Sequence, residues 1–509
     1  MKRYIIPCVT FALGIGLVVS ESHAEGLTSL APPLAWVQNA SDNSHAESSS
    51  IAQNAAQSVN TYGNFSIQPN QDRAELPDEK DIDTAKTYNL PDLIDLAERI
   101  NPTTYIAWQK AKQAALAVKM ANATFYPTIT GTVVGGYHRY SAPLPNILGN
   151  TVTVNDSAWG TAEILSLQWL AFDFGQRNAA FSAAKQAAIA ANMLYNGSHQ
   201  KLILNVAQAY YVYASASENL KFADAAVQNA RLVQAAVSKR YAHGLTTSVQ
   251  VAQATQAVDQ AILRRVQAQG EKSNDYQILL SAVGVHVPLK IDTSNLMNRS
   301  LPNFASTPVD ANIRQALARR PDVAAAYETM MAAQTGIKAA RANFMPKIFT
   351  AANVTWGSNS FSLAGLPTLS QQGVGDSVLL GITVPLFDGG LRDAQLQEAE
   401  SKAAVARSDF QRIQYAAVTE IVTARNSLRT ALQSYHAASA LVDASQITYN
   451  AALAAYNKGM GTIDAATTAD TALLNAHQSQ VDARAAVMVS AIKLAFVLGK
   501  LTSNHDVPQ

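Results

Sequence analysis

Cysteine is nearly missing from this chain of 509 residues, and the only one, Cys8, lies inside an N-terminal apolar stretch. That stretch runs from Tyr4 to Val19 behind Lys2 and Arg3, is broken by Pro7, and ends at Ser22-His23-Ala24. It has the layout of a secretory signal, too short to span a membrane, and predicts cleavage after Ala24. The mature chain then has no disulfide, no thiolate metal site and no lipidated cysteine. Charge is scarce as well, at 15% of residues. Beyond Ala24 it is balanced, 36 basic against 36 acidic residues, which leaves no electrostatic footprint for nucleic acid. The nine histidines are scattered, without a His-x-x-x-His or His-Glu pair, and there is neither a Gly-x-Ser-x-Gly elbow nor a phosphate loop. No catalytic residue, metal or cofactor is expected, and the chain reads as something other than an enzyme.

One short stretch argues otherwise at first sight. LAFDFGQR, Leu170 to Arg177, contains the Asp-Phe-Gly run of a protein kinase. A kinase also needs a glycine-rich loop and a His-Arg-Asp catalytic loop upstream; the latter is absent, and Gly373-Val374-Gly375 lacks its third glycine. An exported chain meets no ATP either.

A second copy explains the stretch better. LFDGGLR, Leu386 to Arg392, repeats Phe, Asp, Gly and Arg at an offset of 215, and Tyr241-Ala-His-Gly244 returns as Tyr456-Asn-Lys-Gly459. Asn101 to Pro127 aligns without gaps on Arg320 to Pro346 with 8 identities in 27. The pattern is that of one unit written twice. Each unit begins with a short helix, near Pro91 to Arg99 and Ala311 to Arg319. A longer one follows, Thr103 to Thr124 and Asp322 to Asn343, stopped by Pro127 or Pro346. Then the periodicity changes. Thr128 to Tyr140, Trp159 to Ala171, Lys347 to Trp356 and Val374 to Leu386 read as strands; the last alternates Val378, Leu380, Ile382, Val384 and Leu386. Loops rich in Pro, Gly, Asn and Ser are expected between the members of each pair, the first covering Ser141 to Asp156.

After each Phe-Asp-x-Gly the chain turns helical. Gly175 to Gly244 and Gly390 to Gly459 each cover 69 positions without a proline, which at 1.5 Å per residue is a helix of about 100 Å. Alanine alternates with Lys, Gln, Glu and Arg along both, so they stand in water and pack through narrow stripes. Return helices follow, Val249 to Ser281 and Ile463 to Leu498. Asp173 and Asp388 stand where strand becomes helix, and are expected to cap free amides while Gly175 and Gly390 allow the turn.

VPLFDGGLRDAQLQEAES, YNLPDLIDLAERINP, RYAHGLTTSVQVAQA and AYNKGMGTIDAATTADTALLNAHQSQV together resemble the TolC-like outer membrane efflux proteins, over about Tyr88 to Lys500. The resemblance implies a mainly α fold with a small β part. Four strands per chain would enter a trimeric 12-stranded outer-membrane β-barrel, continued by an α-helical coiled-coil periplasmic tunnel. It also implies a Gram-negative cell outer membrane and a homotrimer docked on a periplasmic adaptor and an inner-membrane pump of RND or ABC type. The function would be passive exit of drugs, small molecules or proteins in efflux or type I secretion. Closure supports three copies independently: four strands cannot close in lipid, eight give a filled barrel, and twelve leave a lumen. Aromatics near the strand ends read as interface girdles, Phe125, Tyr126, Trp169, Phe172, Phe344 and Phe387 at one level and Tyr137, Tyr140, Trp159 and Trp356 at the other.

The expected organisation is a signal at 1–24, a flexible extension at 25–86, a first repeat at 87–283, a linker at 284–310 in an equatorial belt, a second repeat at 311–500 and a tail at 501–509. The tips of the long hairpins match the family's tip turns, where the adaptor is expected to touch: His243, Gly244, Leu245 and Thr246, then Lys458, Gly459, Met460, Gly461 and Thr462. The family often rings its aperture with acids after the second tip. Ala465 and Thr468 occupy those positions here, with Asp464 and Asp470 as the nearby acids. Rival readings are a trimeric adhesin or envelope scaffold with no transport role, a general porin, which would lack the helices, and an exported hydrolase, which would need a catalytic cluster.

Overall fold

The structure, a computed structural model, describes residues 82–145, 151–294, 296, 299–302, 309–363 and 369–501, all within one unit, Glu79–Gln509. The signal, most of the expected extension and the tail beyond 501 lie outside the described residues. The expected extension ends earlier than 86: the backbone amides of Ala85 and Lys86 already donate to Asp83, and the Tyr88 hydroxyl donates to its carbonyl.

A short strand β1 (Thr87–Tyr88) leads into α1 (Leu90–Ile100) and α2 (Pro102–Ala123). Asn89 and Asp92 form a reciprocal capping box at the start of α1, and the Asn101 side chain caps α2 ahead of Pro102. Strands β2 (Thr128–Pro145) and β3 (Thr151–Phe172) precede the long hairpin α3 (Gln176–Ala242) and α4 (Ser248–Val283). After β4 (Lys290–Ile291) come α5 (Val309–Arg319), α6 (Pro321–Ala342), β5 (Lys347–Leu363), β6 (Leu369–Thr383), α7 (Leu391–Asn457) and α8 (Ile463–Val497). Corresponding helices agree in length: 11 and 11 residues, 22 and 22, 67 and 67, 36 and 35.

The four long strands form one antiparallel sheet in the order β2-β3-β5-β6. Both hairpins overrun the loops expected between them. The β2–β3 ladder continues to Pro145↔Thr151 and the β5–β6 ladder to Phe361↔Leu369. Pro143 and Pro145 are tolerated because β2 is an edge strand, where a missing N–H removes no ladder bond. At the other end β6 stops at Thr383, so Val384 and Leu386 leave the alternation assigned to them; Pro385 cannot donate to a ladder, and its carbonyl instead accepts from Arg392.

Pairing register sorts the side chains. One face carries Ile129, Val133 and Tyr137 beside Trp159, Leu165 and Trp169, then Val354 and Trp356, then Val378, Leu380 and Ile382, with Glu163 and Asp376 among them. The other carries Thr128, Thr130, Thr132, Ser166, Gln168, Asn353, Ser377 and several glycines, along with Val134, Ile164 and Leu379. Trp356 pairs with Glu163 and Val374, four residues along β5 from the partner of Trp159, so it is not level with the Tyr137–Trp159 pair. Nothing is described of the Tyr140 side chain.

The helices beneath the sheet repeat the strand order: α2 packs on α3, α3 on α6, and α6 on α7. Farther along, α4 joins α3, α8 joins α7, and α8 also lies against α3. Between these two zones sits the main apolar core, with Leu93, Leu96, Val206, Tyr210, Tyr211, Leu279, Val283, Leu296 and Val481. β1 and β4 pair in parallel at its edge. Three tyrosine hydroxyls there are paired: Tyr210 donates to the Asp292 carbonyl at 2.7 Å, Tyr276 to the Leu289 carbonyl at 2.9 Å, and Arg299 to the Tyr211 hydroxyl at 3.1 Å. Burial pushes the Tyr210 phenol up to about 12. Arg484, on α8, spans the zone by donating to the carbonyls of Leu296 and Arg299 and to the Tyr435 hydroxyl.

Candidate functional site: hairpin tips and strand-to-helix junctions

The two hairpin tips are built alike. At the end of α3, Gly244 takes φ +70°, its amide donates to the Tyr241 carbonyl, and the Leu245 amide reaches back to Arg240. At the end of α7, Gly459 takes φ +77°, its amide donates to Tyr456, and Met460 reaches back to Ala455. A left-handed residue after the last turn frees the chain to reverse while those bonds satisfy the final carbonyls. The return helices are capped by threonine three residues on, Thr247 for α4 and Thr462 for α8, each accepting from an amide of the first turn. Thr247 was not singled out by the sequence pattern; its neighbour Thr246 was, and that hydroxyl is buried without a hydrogen-bond partner among the described residues.

Four helices meet behind the tips, where Val233, Val237, Ala254, Tyr456, Ile463 and Ala466 form a small core. Arg240 ties one tip to the other: it donates to the Tyr456 carbonyl at 3.0 Å and its guanidinium lies 5.3 Å from the centre of the Tyr456 ring. His243, Leu245, Lys458 and Met460 project from this base into solvent. Gly461 does not; a Cβ there would stand 3.1 Å from the Tyr456 amide nitrogen, so glycine lets the loop lie against the end of α7.

Asp464 and Asp470 line one polar cavity of about 320 Å³ between α3, α4 and α8, together with Gln256, Gln260, Arg264 and Thr468. Their surroundings differ. Asp464 is exposed in the first turn of α8. Asp470 accepts from the Asn229 side chain on α3, and burial pushes its carboxyl up, opposed by that hydrogen bond and by the charge of Arg264. Two turns beyond Asp470 along α8, burial lowers the His477 imidazole, which stacks on Phe222 of α3 with ring centres 4.2 Å apart.

At the strand-to-helix junctions the left-handed residues Gly175 and Gly390 precede the first helical residue, and the aspartates stand two positions earlier. Asp173 accepts from the amides of Gly175 and Arg177, and Asp388 from those of Gly390 and Arg392. Each carboxylate also holds its arginine, Arg177 at 2.8 Å and Arg392 at 2.5 Å. The hydrogen bond from the Arg392 side chain, with those two amides, lowers the Asp388 carboxyl. The arginines are the residues that sequence reasoning gave no role. Arg177 reaches the Thr124 carbonyl and covers the Phe125 ring; Arg392 reaches the Pro385 carbonyl and covers Phe344. Both thus clamp the residues just before the strands to the start of a long helix. Their recurrence at one offset was the available signal.

No helix among the described residues is long and apolar enough to cross a membrane, which says nothing of the sheet. Among those residues no group of His, Cys, Asp and Glu is arranged to hold a metal ion.

Comparison with known proteins agrees with this architecture. The chain is 25% identical to protein CyaE of Bordetella pertussis over 430 residues, covering 82% of this chain and 86% of that protein. It is 26% identical to the cation efflux system protein CusC of Escherichia coli K12 over 402 residues, 77% and 82% of the two chains. Outer membrane protein TolC of the same strain is 24% identical over 359 residues, 68% and 71%. A crystal structure of CusC superposes with a TM-score of 0.67 at 23% identity, over 80% of this chain and 91% of that one. The Campylobacter jejuni CmeC outer membrane channel superposes at 0.65 and 20% identity, over 82% and 87%. The sequence model for outer membrane efflux proteins matches twice, at residues 93–285 and 312–500. The chain is therefore an outer-membrane protein of a Gram-negative bacterium and belongs to the outer membrane efflux protein family.

Proposed function

We propose that three copies of this chain close into one passive exit duct, a shared barrel in the outer membrane continued by a helical tunnel through the periplasm. The supporting observation is a coincidence of open edges. The sheet ends at β2 and β6, the helical layer beneath it ends at α2 and α7, and α2 leads directly into β2 as β6 leads into α7. In a four-stranded antiparallel sheet the outer strands run oppositely, so β6 of one copy meets β2 of the next in antiparallel pairing and α7 meets α2 below. Lipid makes such closure obligatory, because unpaired backbone groups on an edge have no water to bond. Three copies give twelve strands, enough for a lumen, with the apolar face toward lipid and the Thr, Ser, Asn and Gly face inward. The matching lengths of corresponding helices, within one residue, fit an internal duplication, two strands and one long hairpin per unit.

On this reading the tips point away from the membrane, and the exposed His243, Leu245, Lys458 and Met460 meet a periplasmic adaptor. The adaptor in turn joins an inner-membrane pump. Cargo moves down the gradient that the pump creates, so the duct itself needs no catalytic group, and Asp464 is the acid placed to face a cation at the narrow end. Drugs, other small molecules or secreted proteins are the cargo classes such a duct serves. The test is native mass spectrometry of the detergent-extracted protein together with conductance in a planar lipid bilayer. A trimer with single-channel conductance is expected; a monomer or dimer as the main species, or an insulating trimer, overturns the proposal.

A further inference from the structure

Phe174 is the only residue other than glycine with positive φ among the described residues, at +52°. The corresponding position in the second half is Gly389, at φ +66°, and the turn there proceeds in the same way. A large side chain in the left-handed region is strained, and a strained residue persists where something else is gained. The local turn does not require the ring, since glycine serves at 389.

The strand just before it carries a second irregularity. Along β3, Leu170 pairs with Phe349, but Phe172 pairs with Ile348, with a bulge between. Strict alternation would put Phe172 on the polar face with Leu170. The bulge moves it to the apolar face, beside Ile348 and in line with Trp169 and Ile382. The Phe174 ring then packs edge-on against Phe172 at 4.8 Å, and both rings remain 49% exposed. β3 and α3 are flanked on both sides by elements of their own chain, β2 with α2 and β5 with α6. A neighbouring copy joined through the outer edges does not reach them.

We infer that Phe174 and Phe172 form a two-ring anchor in the periplasmic-leaflet interface of the outer membrane, and that the left-handed backbone at 174 is maintained to aim the second ring into lipid. The inference rests on the trimeric barrel proposed above. The rings continue the outward apolar face downward, past Trp169, whose indole nitrogen donates to the Phe125 carbonyl. Just beyond them Arg177 and Lys185 lie over Phe125 and Phe181, cations at the depth where lipid phosphates would stand. Amphipathic boundaries of this kind favour aromatic rings.

The one cysteine, Cys8, lies in the expected signal and residues 25–509 have none, which makes the test direct. Phe174→Cys carries a nitroxide label in trimers reconstituted into phosphatidylcholine vesicles, and its relaxation is read with oxygen and with a water-soluble nickel chelate. Accessibility to oxygen above that to nickel is expected, as at a Val378→Cys control on the apolar face and opposite to a Leu245→Cys control at the tip. Nickel dominance at 174 overturns the anchor. Phe174→Gly is the second variant: relief of the backbone should leave the thermal midpoint in detergent no lower than wild type. A lowered midpoint assigns the ring to internal packing and overturns the inference. Native mass spectrometry of the same samples keeps the two proposals apart: a trimer with a water-exposed label sinks the anchor alone, and the absence of a trimer sinks the barrel and the anchor with it.

Discussion

The helices α3 and α7 have the same length, 67 residues, yet 22 residues of α3 are buried and only 10 of α7. α3 is touched by α1, α2, α4, α6 and α8, whereas α7 meets α5, α6 and α8. The difference separates two roles within one repeated plan. α3 is the central staff of the chain, and its alanine-rich stripes are used up by partners in the same molecule. α7 stands at the edge and presents Val405, Tyr415 and Ile447 to solvent at 62%, 73% and 70% exposure. Apolar surface left open along a long helix calls for a covering partner, and another copy of α2 or α4 is the partner that the proposed ring supplies.

The largest effect is expected where that comparison is broken outright. Tyr415→Asp combined with Ile447→Asp puts two carboxylates on the α7 face turned away from α8. In an isolated chain both stay hydrated. In a ring they are buried without partners, at a cost of several kcal/mol per copy. Native mass spectrometry should show loss of trimer while circular dichroism still reports a helical chain. Retention of wild-type trimer would mean that this face of α7 is not part of the seam.

Second in size is a change on the α3 side of the comparison. Arg484→Leu removes the guanidinium that joins the Leu296 and Arg299 carbonyls to the Tyr435 hydroxyl, leaving those acceptors buried and unpaired. A loss of about 2–4 kcal/mol is expected, read as a lowered thermal midpoint of the whole chain and not merely as dissociation of trimers. An unchanged midpoint would show the segment around Leu296 and Arg299 to be less tightly held than its hydrogen bonds indicate.

These two regions also show how far the sequence could be read. Helix lengths were legible because their ends carry strong chemical signals: Pro127 and Pro346 before the strands, Gly244 and Gly459 at the tips. The strands were legible at their apolar centres, and less so at their ends. Pro143 and Pro145 look like loop residues until β2 is known to be an edge, which depends on the order β2-β3-β5-β6 and on no local pattern. The bulge at Leu170 and Phe172 is likewise invisible to periodicity, since it is a property of pairing. Arg177, Arg392 and Arg484 were missed for a related reason. Arg177 and Arg484 act on carbonyls distant in sequence and Arg392 on one across a strand-to-helix turn, contacts that no local pattern displays. At the tips, the turn glycines announced themselves, while the buried contact of Asp470 with Asn229 required knowing that α8 lies against α3.

A smaller effect on folding, with a larger one on docking, is expected at the tips. A Cβ at Gly459 would meet nothing nearer than an Arg240 nitrogen at 3.6 Å, so a substitution there is strained by its φ and not by crowding. Gly459→Val should cost about 1 kcal/mol or more in the turn. The sheet lies a full helix length away, so outer-membrane abundance and trimer content should remain. Crosslinking to the proposed adaptor and resistance to toxic compounds should fall. Normal crosslinking at normal abundance would leave Gly459 as a turn residue with no part in docking.

The smallest effect concerns the contact between the two hairpins, and it depends on pH. Burial raises the Asp470 carboxyl above the usual carboxylate range, with the Asn229 hydrogen bond and Arg264 opposing. The native state therefore binds this proton more tightly than the unfolded chain does. The associated stability is fully present below the usual range and is lost as pH rises through the raised value. Asp470→Asn keeps an acceptor for Asn229 and cannot ionise. Relative to that variant, wild type should lose thermal midpoint as pH is raised from the acidic range toward neutrality, and the two should then run parallel. The variant's curve should be the flatter one across this window, with trimer content unchanged at both ends. Coincident curves, or a wild type that gains on the variant with rising pH, would show that the carboxylate is better solvated or better paired with Arg264 than its position between α3 and α8 implies.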